Sequence, residues 1–172
     1  MEFISSDTNV WFDYYAISRL ELPFRLDCTY IIFYETLREE IVDPPELISK
    51  LRNLGLLEVD LSDDEYYYAS DLIQRYPKLS GYDAIALSVA KYRNILLLTG
   101  DNALRKAAQK EGVAFMGSIG LIDRLLNENR ISQSEYLDCL NRWKKQSASS
   151  RRLPAEEIDK RIKRFIDKES EV

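Results

Sequence analysis

Three aspartates stand where strands hand over to helices. Asp7 follows the run Glu2-Phe3-Ile4-Ser5-Ser6, Asp101 follows Leu97-Leu98-Thr99, and Asp83 opens the helix before that second strand. In open α/β sheets, ligands collect outside the carboxyl ends of the strands, which is where Asp7 and Asp101 fall. A length argument adds Asp83. A helix of about 11 residues covers roughly 16 Å at 1.5 Å each, and a return strand of about 5 residues covers roughly 16 Å at 3.3 Å each. The two paths match, so Asp83 and Asp101 should share one sheet edge. Glu35, where Ile31-Ile32-Phe33 turns helical, is the fourth candidate.

The chain contains no histidine, which excludes Ser-His-Asp and Cys-His nucleophile systems and every His-ligated zinc site. Its two cysteines, Cys28 and Cys139, are too few and too far apart for a disulfide scaffold or a metal knuckle. Hydrolytic chemistry would therefore rest on carboxylates acting through a hard cation such as Mg2+ or Mn2+. Each acid also has a plainer role. Asp7, Asp83 and Asp101 could cap helix N-termini, and Glu35 could be a solvated helix residue. Capping does not predict convergence, however. Clustered carboxylates raise one another's pKa and cost stability unless a cation compensates.

The elements that must position these acids follow from the pattern. Apolar or β-branched runs at 2–6, 28–33, 56–59, 95–99 and 113–116 read as strands. Ile95-Leu96-Leu97-Leu98 does not alternate, as expected of a central parallel strand buried on both faces. Helices are expected after Asp7-Thr8-Asn9 (holding Val10, Trp11, Tyr14, Ile17 and Leu20), from Tyr34 to Ile41, over 46–53, from Ser62-Asp63-Asp64-Glu65 to Tyr76, and from Ser80-Gly81-Tyr82-Asp83 onward. Further helices are expected over 102–111, 118–127, 132–145 and 155–168. Alternating strands and helices specify an α/β fold with a mostly parallel sheet.

These motifs, taken in order, resemble the PIN-domain nucleases. Ser6-Asp7-Thr8-Asn9-Val10, Tyr34-Glu35, Tyr82-Asp83-Ala84-Ile85-Ala86 and Leu98-Thr99-Gly100-Asp101 match the family's acids in order and spacing. The likeness continues through Gly100-Asp101-Asn102-Ala103-Leu104-Arg105 and Gly112-Val113-Ala114-Phe115, and spans roughly residues 1–130. It implies a three-layer α/β/α sandwich and a metal-dependent endoribonuclease. Asp7, Glu35, Asp83 and Asp101 would then hold Mg2+ or Mn2+ over an RNA substrate. Asn9 and Thr99 would orient Asp7 and Asp101 from behind, a role no more favoured than ordinary cap and strand-end hydroxyl. Compact toxin-type members extend the implication to a cognate antitoxin partner and a homodimer.

The remaining charge pattern qualifies this picture. Residues 1–141 carry 14 Lys+Arg against 23 Asp+Glu, and residues 142–172 carry 10 against 6, so an acidic body bears a basic tail. An overall charge of −5 denies RNA a bulk basic footprint. Arg38, Arg105 and Lys106 are candidate local phosphate contacts, although each also reads as an ordinary solvated helix charge. Tyr14, Tyr15 and Tyr66 to Tyr68 could stack on bases, but consecutive tyrosines cannot share one helix face, so packing is the better reading. The domain division is a nuclease body at 1–130 and a helical extension at 131–172, with a Ser/Pro linker near 146–154. In that extension Ile158, Ile162, Phe165 and Ile166 form an apolar stripe suited to packing back or to a partner. No apolar stretch approaches the roughly 20 residues of a membrane span, and the acidic N-terminus lacks a signal-peptide pattern, so a cytoplasmic location is expected. Two other functions fit less well. One is a haloacid-dehalogenase-like phosphatase with Asp7 as nucleophile, which wants an acid where Asn9 stands. The other is a noncatalytic binding module that keeps the acids as caps.

Overall fold

The computed structural model describes residues 1–150 and 153–170, with side chains described at 1–146 and 153–167. Five strands, β1 (Glu2–Ser6), β2 (Cys28–Phe33), β3 (Leu57–Val59), β4 (Leu96–Leu98) and β5 (Phe115–Met116), form one sheet in the order β3-β2-β1-β4-β5. Every pairing is parallel, which requires a crossover between successive strands. The chain winds outward from β1 through β2 and β3, then returns to place β4 on the other flank of β1. That reversal between β1 and β4 opens a crevice at the carboxyl edge. Ile4 lies opposite Leu96 and Ser6 opposite Leu98, so Asp7 and Thr99 leave the sheet side by side. The Asp7 N–H donates to the Leu98 carbonyl at 2.9 Å.

Among the described residues the helices are α1 (Asn9–Ala16), α2 (Tyr34–Glu40), α3 (Glu46–Leu54), α4 (Asp63–Arg75), α5 (Gly81–Tyr92), α6 (Asn102–Lys110), α7 (Ser118–Asn127), α8 (Gln133–Ser150) and α9 (Ala155–Ser170). They form two layers around the sheet. Leu72, Leu87, Ala90, Leu97 and Leu104 tie α4, α5 and α6 to one face. Ile4, Trp11, Tyr30, Leu98, Leu121 and Trp143 build the larger core on the other. Leu97 and Leu98 are both fully buried, one into each core, which explains the missing alternation in β4. The structure is thus the expected three-layer α/β/α sandwich, with its sheet parallel throughout.

Two boundaries differ from the sequence reading. Ser18 takes a left-handed backbone, φ 57°, so α1 stops at Ala16; Ile17 and Leu20 bury from the turn that follows. Residues 146–150, expected in a linker, continue α8. Serine lowers helix propensity only modestly, and no residue incompatible with a helix occurs before Pro154. Arg151 and Arg152, also within the expected linker, lie outside the described residues.

The C-terminal helices share the larger core. The Trp143 indole N–H donates to the Asp13 carbonyl at 3.0 Å, and its ring meets Tyr14 edge-on at 5.1 Å. Ile158 is fully buried in that core, with Ile162 and Phe165 packed against it. Phe165 lies 5.3 Å from Tyr136, and Arg161 pairs with Asp123 at 2.7 Å. Ile166, the last residue of the apolar stripe, is instead exposed.

Candidate active site

Asp7 does not cap a helix. The Thr8 cap of α1 makes no side-chain bond, and Asp7 is only 4% exposed. Its Oδ1 accepts from the Thr8 N–H at 2.7 Å. Its Oδ2 accepts from the Thr99 hydroxyl at 2.9 Å and from the Asn9 amide at 3.2 Å. The Thr99 hydroxyl also accepts from the Asp101 N–H at 3.1 Å, so one oxygen ties the exit of β1 to the exit of β4. Asn9 and Thr99 both donate to Asp7, and Thr99 reaches Asp101 only through its backbone N–H.

Asp101 and Asp83 do cap helices. Asp101 Oδ1 accepts from the Leu104 N–H at 2.7 Å at the start of α6. Asp83 closes a reciprocal box with Ser80: its Oδ2 accepts from the Ser80 N–H at 2.8 Å, while its own N–H donates to the Ser80 hydroxyl at 3.1 Å. These bonds fix both carboxylates at the carboxyl edge of the sheet. The charge of Asp101 acts on Asp83, so the two carboxylates lie near each other at this edge.

The glutamate facing this edge is not the one read from the sequence. Glu35 lies in the first turn of α2, exposed, with its carboxylate accepting from the Tyr34 hydroxyl at 3.0 Å. Glu40, at the last turn, is half-buried and accepts from the Thr8 hydroxyl at 2.7 Å. Five residues rotate a side chain roughly 140° around a helix axis, so the two glutamates cannot face the same way. A usable sequence signal existed: Glu40 lies three residues after Leu37, the apolar position that marks the inward face of α2.

The carboxyls act on one another electrostatically. The Asp7 carboxyl is pushed up to about 6 by burial first, then by the charge of Asp83 and that of Glu40, against the pull of Thr99 and Thr8. Burial and Asp83 also raise Glu40. Burial raises Asp83, with Asp101 adding to it. The carboxylates are close enough to destabilise one another's charge, yet among the described residues no three of them form a ready coordination shell.

The candidate cations are placed unequally. Arg105 donates from Nε and Nη2 to the Thr99 carbonyl at 3.1 and 3.0 Å, and its guanidinium lies 6.0 Å from the Phe115 ring centre. It rests over Gly117, where a Cβ would stand 1.9 Å from Nη2. Lys106 is exposed one residue along α6. Arg38 stacks on Tyr34, 5.4 Å from the ring centre, on the outer surface of α2. Tyr14 is buried, with its hydroxyl donating to the Ser118 carbonyl at 3.0 Å, whereas Tyr66 and Tyr67 are exposed.

Comparison with known proteins gives one result. A family model described as a PIN domain matches residues 3–166, which includes α8 and most of α9. No curated protein and no solved structure matches the chain.

Proposed function

The chain belongs to the PIN-domain family, and from that premise we propose that it is a divalent-metal-dependent endoribonuclease centred on Asp7, Glu40, Asp83 and Asp101. PIN domains are nuclease-type folds that bind nucleic acid; the metal, the RNA substrate and these residue roles are the proposal. The observation that carries it is the buried Asp7 carboxyl, whose strongest charged neighbours are Asp83 and Glu40 rather than a base. Such an arrangement is costly unless a cation joins it. The donors are all carboxylate oxygens, which suits a hard cation and makes Mg2+ or Mn2+ the fitting choice. Bound there, the cation would lower the pKa of a coordinated water and neutralise charge on the leaving oxygen.

The protein's own groups would do the rest. Thr99 and Asn9 hold Asp7 in one orientation, and the Thr99 hydroxyl couples it to the backbone of Asp101. Thr8 fixes Glu40, and Ser80 fixes Asp83. Arg105, pinned by the Thr99 carbonyl, would turn its remaining N–H groups to a substrate phosphate. The family match displaces the phosphatase alternative. A toxin role would add a partner protein covering this edge, and its test is inhibition of cutting by a co-encoded chain.

The direct test is cleavage of a labelled single-stranded RNA in Mg2+ or Mn2+. Wild type should cut, and EDTA should stop it. Asp7→Asn and Asp101→Asn should each lose roughly 100-fold or more, beyond the 10- to 100-fold typical of groups behind a metal ligand. Cutting that persists equally in both variants would defeat the proposal.

A further inference from the structure

The acidic body carries a local exception next to the carboxylates. Between the α4–α5 turn and the outer face of α6 lies a depression of about 220 Å3, with Tyr76, Pro77, Leu79, Ala103 and Ala107 in its walls. Lys78, Lys106 and Lys110 also line it. Among the described residues none of these three lysines has an acidic side chain within ion-pair distance, in a chain where most arginines do. Lys110 lies 5.8 Å from the centre of the Tyr76 ring, and Arg75 lies 5.2 Å from it.

The position of the slot matters as much as its lining. Leu79 immediately precedes Ser80, the cap that fixes Asp83. Ala103 comes two residues after Asp101, the cap of α6. The slot therefore begins where the carboxylate edge ends. From there Lys106 and Lys110 run one turn apart, about 6 Å along the axis of α6. A small apolar seat bordered by ammonium groups without carboxylate partners fits a flat ring carried on a phosphate chain. Base stacking on aromatic and apolar surface is worth about 1–3 kcal/mol per base, and lysines placed beside it would neutralise the flanking phosphates.

Building on the nuclease reading above, we propose that this slot seats an unpaired base of a single-stranded RNA next to the acidic centre, with Lys78, Lys106 and Lys110 meeting the flanking phosphates. It gives an acidic protein a local means of holding a polyanion. It also favours single strands, because a base stacked in a duplex cannot enter.

The test uses full-length protein and a labelled 12-nucleotide single-stranded RNA, with binding read by anisotropy in EDTA and cutting read separately in Mn2+. Replacing Lys78, Lys106 and Lys110 together by Gln should weaken binding about tenfold or more and flatten the salt dependence by three contacts' worth, a change of about 2 in the log–log slope. Ala103→Leu fills the seat without touching charge; it should weaken single-strand binding about fivefold while leaving binding of an RNA duplex unchanged. These exposed or half-exposed positions should leave the melting temperature within a few degrees of wild type. If wild type cuts RNA but both variants bind it as wild type does, the slot proposal falls and the nuclease reading stands. If wild type binds through the slot without cutting, the slot stands and the nuclease reading falls. If Ala103→Leu weakens duplex and single strand equally, the base seat is overturned.

Discussion

At the scale of single residues, the proposed chemistry turns on Asp7. Its folded carboxyl is raised to about 6 from an ordinary 3.8, so the protonated form is favoured in the folded protein. Its contribution to stability is then fullest below about pH 4 and is lost as pH rises through about 6, a swing of about 3 kcal/mol. Metal-free protein in EDTA should show this loss in urea melts between pH 4 and 7, and Asp7→Asn should abolish that part of the profile. A flat wild-type profile over that range would contradict the burial and charge argument. Thr99→Val removes the hydroxyl shared by Asp7 and Asp101 while keeping the side-chain volume. It should cut kcat about 10- to 100-fold with little change in KM, measured on RNA in Mn2+. At this scale the sequence was legible where an acid directly follows a strand, as at Asp7 and Asp101. It pointed to Glu35, which the structure leaves exposed, because proximity to a strand end says nothing about which way a helix residue turns. Glu40 faces inward only because α2 buries Thr36 and Leu37.

At the scale of elements, two of the four carboxylates in the proposed centre, Asp83 and Asp101, also start helices. Ser80→Ala would remove half of the box that starts α5 and should cost about 1 kcal/mol. It should also lower activity beyond what that stability loss explains, because Asp83 loses its restraint; activity assayed well below the melting temperature separates the two effects. Gly117 lies just before α7 with φ −110°, a backbone that any residue adopts, so alanine there strains nothing locally. Its Cβ would, however, occupy the place of the Arg105 guanidinium. Gly117→Ala should therefore displace Arg105 from the Thr99 carbonyl and weaken RNA binding, yet shift the melting temperature by only a few degrees. Loss of folding instead would show that Gly117 serves packing. Elements themselves were largely readable, since each strand is a short apolar run and α4 and α5 begin with serine boxes. Their ends were less so, because the left-handed turn at Ser18 and the helical continuation through Ser150 depend on context rather than composition.

At the scale of the whole molecule, one parallel sheet with a reversal between β1 and β4 brings together acids separated by up to 94 positions between Asp7 and Asp101. The extension contributes to the same body: Ile158 is fully buried and Arg161 holds Asp123. Ile158→Ala should cost about 2–5 kcal/mol, seen as a lower urea midpoint. A negligible cost would mean that α9 is dispensable to the fold. The amphipathic stripe of α9 was visible in the sequence; its docking partner was not, because periodicity identifies an apolar face and leaves open what covers it. Charge balance misled in a similar way. The net value hides the lysines at the foot of α6, which only the packing of the α4–α5 turn against that helix gathers into one place.

A paired assay decides which glutamate serves the proposed centre: cleavage of the same RNA in Mn2+ by Glu40→Gln and Glu35→Gln. A centre built from Asp7, Glu40, Asp83 and Asp101 predicts that Glu40→Gln loses roughly 100-fold or more while Glu35→Gln stays within about twofold of wild type. The reverse pattern, or full activity in both variants, would contradict it.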